Sequence, residues 1–185
     1  LETQTIQSIQ QANIKWTLAW LDSQNLVYIC GDDADRPCSI YLYNIDTERS
    51  TLIWHESDEH FYLTVHRARI GNVVVCEAHS KTTSDVRLLE QDGSSWKLTH
   101  VRPRQHGIKY TVAVGPERLY IRSNESRREF SIITQERNDN QTPRVFWTPP
   151  TGVTIQDMDL FASHLVCWIR EHGLLQLHVQ NLQSG

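Results

Sequence analysis

Val27, Val73, Leu119 and Leu165 stand 46 residues apart at every step. Each lies inside a short apolar run: Leu26-Val-Tyr-Ile29, Val73-Val-Val75, Leu119-Tyr-Ile121 and Leu165-Val-Cys-Trp168. A period of this length marks stacked supersecondary units, because one such unit cannot bury its apolar face alone. Three further series keep nearly the same step, between 44 and 48 residues. One follows at Ile40–Tyr43, Val86–Leu89, Phe130–Ile133 and Leu175–Val179. Another precedes, at Trp16–Trp20, Tyr62–Val65, Tyr110–Val114 and Met158–Phe161, and the last is Thr51–Trp54, Trp96–Thr99 and Arg144–Trp147. The runs are short, rich in β-branched and aromatic residues, and bounded by turn residues, with no sustained helical period. They read as strands.

Four strands per 46-residue unit are the signature of β-propeller blades. The expectation is an all-β chain of about four four-stranded blades, with strands A to D running from the centre outward. Strand B is covered by neighbouring blades on both faces, which accounts for its near-continuous apolar character. Trp54, Trp96 and Trp147 fall on the outer D strands, where large rings fill the gap that widens between blades; packing explains them without a ligand role. Drawn by sequence self-similarity, the units run 1–45, 46–90, 91–136 and 137–185, each cut between C and D. Leu1–Gln4 resembles Ile45–Glu48, just past a C strand, and Leu182–Gly185 ends at the equivalent place. The expectation is a segment of a larger propeller.

Composition removes several function classes. With 18 basic against 22 acidic residues the formal charge is −4, and no basic stripe of the kind nucleic acid needs is present. No apolar run approaches the roughly 20 residues of a membrane helix, and the first residues lack the pattern of a signal peptide. The four cysteines, Cys30, Cys38, Cys76 and Cys167, form no C-x-x-C pair, and three sit in apolar runs. Buried free thiols are expected, which favours a reducing compartment and so the cytoplasm. The sequons at Asn124 and Asn140 read as incidental. His55 and His60 flank Glu56, Asp58 and Glu59, but without helical spacing or a third ligand the stretch reads as a solvated loop, not a metal site. No Gly-x-Ser-x-Gly elbow exists. No catalytic residue, cofactor or metal is assigned.

Several motifs resemble the prolyl oligopeptidase family, above all its oligopeptidase B and prolyl endopeptidase-like branches. Glu56-Ser-Asp58-Glu-His-Phe61-Tyr62 is similar to the acidic segment ahead of an aromatic A strand. Lys81-Thr82-Thr83-Ser84-Asp85-Val86 resembles the Thr-Thr-Ser-acidic turn, and Leu119-Tyr120-Ile121-Arg122-Ser123-Asn124 the aromatic-x-Arg-Thr/Ser-Asn signature. Leu160-Phe161 followed by Arg170-Glu-His-Gly173-Leu174 resembles the Leu-Phe and Glu-Arg-x-x-Gly-Leu pattern, with Ile169 standing where the family shows Glu. The likeness spans Trp16 to Leu182. It implies a seven-bladed propeller capping an α/β-hydrolase domain with a Ser-Asp-His site, so that short peptides are cut and folded proteins spared.

In a blade the B–C and D–A connections emerge at one end, so these polar motifs are expected to share a face. Turn chemistry accounts for Asn124, Gly173, Thr83 and Ser84. Arg102, Arg104, Arg122 and Arg170 are the candidates for docking the peptidase domain of the same parent chain. Short peptides are the expected substrates of that parent, and the segment alone is expected to self-associate or to close into a smaller ring. The alternatives are a propeller scaffold for protein interactions, or the propeller of a catalytically inactive family member. A WD40 array is disfavoured because no Trp-Asp or Gly-His signature recurs at the period.

Overall fold

The computed structural model describes residues 8–11, 13–137 and 142–183. Leu1–Gln4, Asn140 and the end of Leu182–Gly185 lie outside the described residues. Every regular element described is a strand, and no helix long and apolar enough to cross a membrane occurs among them. The first sheet contains β1 (Ile14–Trp20), β2 (Asn25–Gly31), β3 (Pro37–Asn44) and β4 (Arg49–His55), hydrogen-bonded in that order. The second contains β5 (Tyr62–Arg67), β6 (Val74–His79), β7 (Ser84–Asp92) and β8 (Ser95–His100). The third contains β9 (Tyr110–Val114), β10 (Arg118–Ser123), β11 (Ser131–Glu136) and β12 (Arg144–Trp147). The fourth has three strands, β13 (Val153–Leu160), β14 (His164–Glu171) and β15 (Leu174–Asn181). All pairings are antiparallel, giving four meander blades.

The blades are held together by apolar seams. Val27 and Ile29 of β2 meet Leu63, Val65, Val74 and Cys76 of the second blade, with Trp54 in the same cluster. Val73, Val75 and Val86 meet Tyr110, Val112, Leu119 and Ile121 of the third. Tyr120 and Ile132 then meet Ile155, Leu160, Leu165 and Cys167 of the fourth. The B strands β2 and β6 are therefore apolar on both faces, as sandwiched strands must be. In β14 the burial alternates instead: Leu165, Cys167 and Ile169 are buried while Val166 and Trp168 are only partly covered. Only one face of this strand has a neighbouring blade among the described residues.

Trp147 stacks on His178 with ring centroids 4.4 Å apart, and Trp96 packs partly against the first seam. The ends are different. Trp16 is 98% exposed, Leu18 53%, and Leu174, Leu175, Leu177 and Val179 all exceed half exposure. All four thiols are free and buried. Cys30 belongs to the cluster on the far side of the first blade, with Leu26, Tyr28 and Tyr43, whereas Cys76 points into the first seam. The first blade's sheet therefore lies between these two sulfurs, and they do not face one another.

Candidate interdomain docking face

The B–C and D–A connections form one surface because successive antiparallel strands return the chain to the same end. Each turn has a local cause. His172 and Gly173, with φ of 48° and 81°, make the two-residue link between β14 and β15. Two positive φ values match the right-handed twist of the flanking strands, and Gly adopts its value without steric cost. Between β6 and β7, the Ser80 backbone N–H donates to the Thr83 carbonyl at 2.8 Å and the Thr83 N–H to Ser80 Oγ at 3.1 Å. The Asn124 carboxamide bridges two loops, accepting from the Lys109 N–H at 2.7 Å and donating to the Gly107 carbonyl at 3.1 Å. Asn124 is thus a turn residue whose side chain is engaged.

The centre of the face is an ion-pair network. In the acidic stretch His55, Asp58, Glu59 and His60 are exposed, as a solvated loop requires, but one residue is corrected: the Glu56 side chain is 7% exposed and faces inward. Its neighbour on the second blade, Asp85, is 2% exposed. Arg104, from the connection between the second and third blades, reaches both, pairing with Glu56 Oε2 and lying 3.2 Å from Asp85 Oδ2. Its guanidinium sits 4.1 Å from the Phe61 ring centroid, a cation–π contact that desolvation strengthens. Asp85 also meets Arg87 at 3.3 Å and His100 Nδ1 at 3.1 Å, while Arg87 stacks on Trp54 at 3.8 Å. Two buried carboxylates are tolerated because each has a cationic, hydrogen-bonded partner. Arg36 clamps the loop from the first blade, donating to the carbonyls of Glu56, Asp58 and Phe61 at 3.0–3.3 Å and to Asp32 at 2.9 Å. His60 pairs with Asp58 at 2.9 Å in solvent, and the Asp58 carboxyl is held below its ordinary range chiefly by the His60 backbone N–H.

Of the four candidate arginines, the structure engages three inside the propeller. Arg104 is the network's hub, and it lines two depressions of about 530 and 320 Å3. Arg102 pairs with Glu125 at 2.7 Å. Arg122 donates through Nε to the Ile155 carbonyl at 2.9 Å and lies over the Phe130 ring at 3.7 Å, tying the third blade to the fourth. Among the described residues Arg170 reaches only the Gly173 carbonyl, at 2.9 Å, and is exposed. The four share a face, but they do not converge on one point. The sequence does not single out Glu56, Asp85, Arg36 and Arg87 as a network, since nothing local says that a surface-type acid will turn inward.

The chemistry of this face is electrostatic. Burial pushes the Cys76 and Cys167 thiols up to about 12, which removes them as nucleophiles at neutral pH. Ser39 meets His55 Nδ1 at 2.9 Å and Ser163 meets His164 Nδ1 at 2.8 Å. Neither imidazole has an orienting carboxylate among the described residues, so neither pair has triad geometry.

Residues 2–185 match the family model of the prolyl oligopeptidase N-terminal β-propeller domain. The chain belongs to the prolyl oligopeptidase family. It is 28% identical to Protease 2 of Moraxella lacunata over 156 residues, covering 83% of this chain and 23% of that protein. It is 27% identical to the human (Homo sapiens) prolyl endopeptidase-like protein over 145 residues, covering 74% and 19%. Among solved structures, oligopeptidase B from Trypanosoma brucei, in a closed form with covalently bound antipain, superposes with a TM-score of 0.84 at 23% identity, over 92% of this chain and 25% of that one. The chain thus spans about a fifth to a quarter of the length of these relatives. The family's propeller fold accounts for the four blades; its catalytic domain is a part of the larger relatives that this chain does not cover.

Proposed function

We propose that this chain is the non-catalytic, substrate-filtering propeller segment of an oligopeptidase B-like serine peptidase that cleaves short peptides in the cytoplasm. The observation that carries the reading is the match to the family's propeller domain along residues 2–185, by a chain spanning about a quarter of its relatives. The blade structure supports it physically. Three continuous apolar seams join the blades into a wall, and the network around Arg104 ties the loop face of the first two to the connection that leads into the third. Such a wall restricts access by size, because admitting a folded protein would require opening seams that each bury many side chains. The same loop face, with Arg170 and the two depressions beside Arg104, is the surface offered to a hydrolase domain.

The test has two arms. The chain alone is expected to leave arginyl, lysyl and prolyl peptide substrates uncut. The longer polypeptide that carries it with a hydrolase domain is expected to cut short peptides and to lose kcat/KM as substrate length grows, with folded proteins spared. Turnover by the chain alone, blocked by a serine-directed inhibitor, would refute the non-catalytic assignment. Equal cleavage of short peptides and folded proteins by the longer polypeptide would refute the filter.

A further inference from the structure

A cavity of about 570 Å3 opens where the inner strands of three successive blades converge. At the end away from the loop face its lining includes Ala68 and Arg69 of the second blade, Val114 of the third, and Asp159 and Leu160 of the fourth. The A–B turn of the second blade, residues 67–73, does not stay over its own sheet. Ala68 packs on the seam between the second and third blades, and Ile70 on the seam between the third and fourth. Between them Arg69 reaches the fourth blade, where its Nε donates to the two Asp159 carboxylate oxygens at 2.6 and 2.7 Å and its Nη2 adds a further contact. The same guanidinium lies 4.7 Å from the Phe161 ring centroid. The base of the turn is closed by the Ala68 N–H donating to the Val73 carbonyl at 2.9 Å and by Arg67 donating to Asn72 Oδ1 at 2.7 Å. Residues 67–73 therefore form a strap that passes the third blade and fastens on the fourth.

The third blade leaves room for this crossing. Its inner strand β9 has five residues against eight in β13. Its own A–B turn is drawn in beside the fourth blade, so that a Cβ on Gly115 would meet the Arg118 carbonyl oxygen at 2.7 Å and Leu160 Cδ2 at 3.4 Å. The two ends of the fourth blade are held in different ways. At the loop face the hold is on the backbone: the Ile155 N–H donates to the Glu129 carbonyl at 3.1 Å, and the Ile155 carbonyl accepts from Arg122 Nε at 2.9 Å. At the opposite end Arg137 ties the third blade to the second, through Glu90 and the Gly115 carbonyl. There the Arg69–Asp159 pair is, among the described residues, the one polar contact of the fourth blade with another blade. The Arg69 side chain is 57% exposed and that of Asp159 23%, so dissolved salt screens the pair.

We propose that residues 67–73 are a releasable strap: the fourth blade pivots on its backbone bonds at the loop face, and loss of the Arg69–Asp159 pair opens the other end of the cavity. Ile70 then leaves the seam between the third and fourth blades, and the side chains beneath it meet solvent. Such a device needs neither a hydrolase domain nor a peptide, so it and the filtering function fail separately.

The chain has one methionine, Met158, which lines the cavity and shares with Ile70 the seam under the strap. It is 9% exposed. Labelling its methyl group with 13C gives a single resonance, which a neutral nitroxide in solution broadens according to how closely it can approach. Raising sodium chloride from about 0.01 M to about 1 M shortens the screening length from about 30 Å to about 3 Å. The broadening is expected to rise about two- to fivefold over that range, the reach of one surface ion pair on an opening equilibrium. Arg69→Gln and Asp159→Asn are each expected to show the larger broadening already at low salt, with little further response to salt. Arg118→Gln removes an exposed pair with Glu136 inside the third blade's own sheet, 3.5 Å long, and is expected to behave as the wild type. Three results would each overturn the proposal: equal broadening in the wild type and Arg69→Gln at low salt, an undiminished salt response in Arg69→Gln, or the same opening in Arg118→Gln. A flat salt response in the wild type overturns it even where a variant folds poorly.

Discussion

Arg104→Met removes the hub of the loop-face network while keeping most of the side chain's length. Glu56, with its side chain 7% exposed, then loses its cationic partner, while Asp85 keeps Arg87 and His100. Breaking a buried ion pair from one side costs about 3–5 kcal/mol, because the other charge stays buried and uncompensated. The Arg104 side chain is 30% exposed, so water reaches one edge of the pair, and the lower half of that range is the better guide. Loss of the cation–π contact with Phe61 adds about 0.5–1 kcal/mol. The expected destabilisation is about 4 kcal/mol, which for a chain of this size is a fall of roughly 8–16 °C in melting temperature. The pairwise origin is tested by a cycle: Glu56→Gln, Arg104→Met and both together, each followed by urea denaturation. The double variant is expected to recover at least about 1 kcal/mol relative to additivity, since removing both charges leaves nothing buried and unpaired. A loss below about 0.5 kcal/mol in Arg104→Met, the range of an ordinary surface change, or strict additivity in the cycle, would refute the reasoning.

Other outcomes follow from the same structure. Glu77 binds its proton more tightly folded, with a value of about 7, than unfolded, near 4.5, so the folded chain loses stability as pH rises through that window. Glu77→Gln is expected to match the wild type near pH 4 and to be more stable near pH 8 by up to about 3 kcal/mol, read from urea midpoints; a parallel pH profile in the two proteins would contradict it. The four thiols are expected to resist a thiol reagent in the native chain and to react fully in denaturant, while a Cys30–Cys76 bridge in the unreduced mass spectrum would overturn the blade register. The exposed faces of β1 and β15 are expected to drive association at rising concentration in sedimentation velocity, because apolar patches of several hundred Å2 are rare on soluble monomers. Replacing Trp16 with serine is expected to weaken that association, and a wild-type chain that stays monomeric and binds no hydrophobic dye would exclude it.

Part of the docking face is legible in the order of strands and turns along the chain. That order places 77–84, 123–129 and 169–174 at the same end as 55–61 and 102–108, and the turn chemistry of Thr83, Asn124 and Gly173 is found there, whereas the Ser84 hydroxyl bonds the Tyr110 backbone of the next blade. The inward course of Glu56 is not legible, because its burial depends on an arginine 48 residues away and on the roof that Arg36 and Phe61 provide. Trp54, Trp96 and Trp147 illustrate the middle ground. Their place on D strands follows from the period, but that Arg87 caps one and His178 stacks on another is a matter of neighbouring elements.

The repeat alone determined the class of fold, because a 46-residue period of short apolar runs leaves stacked four-stranded blades as the means of burying every run. It did not determine which way each residue points. Val27 and Val73 face the following blade, whereas Leu119 and Leu165, at the same spacing, face the preceding one. In a strand covered on both sides the two faces are equally apolar, so the pattern carries no phase, and a shift of one residue reverses every side chain without leaving a trace in the sequence. Only the packing of one blade on the next chose between them. That choice put Glu77 and Thr111 against the same cavity, beside Asp157 from the next blade but one.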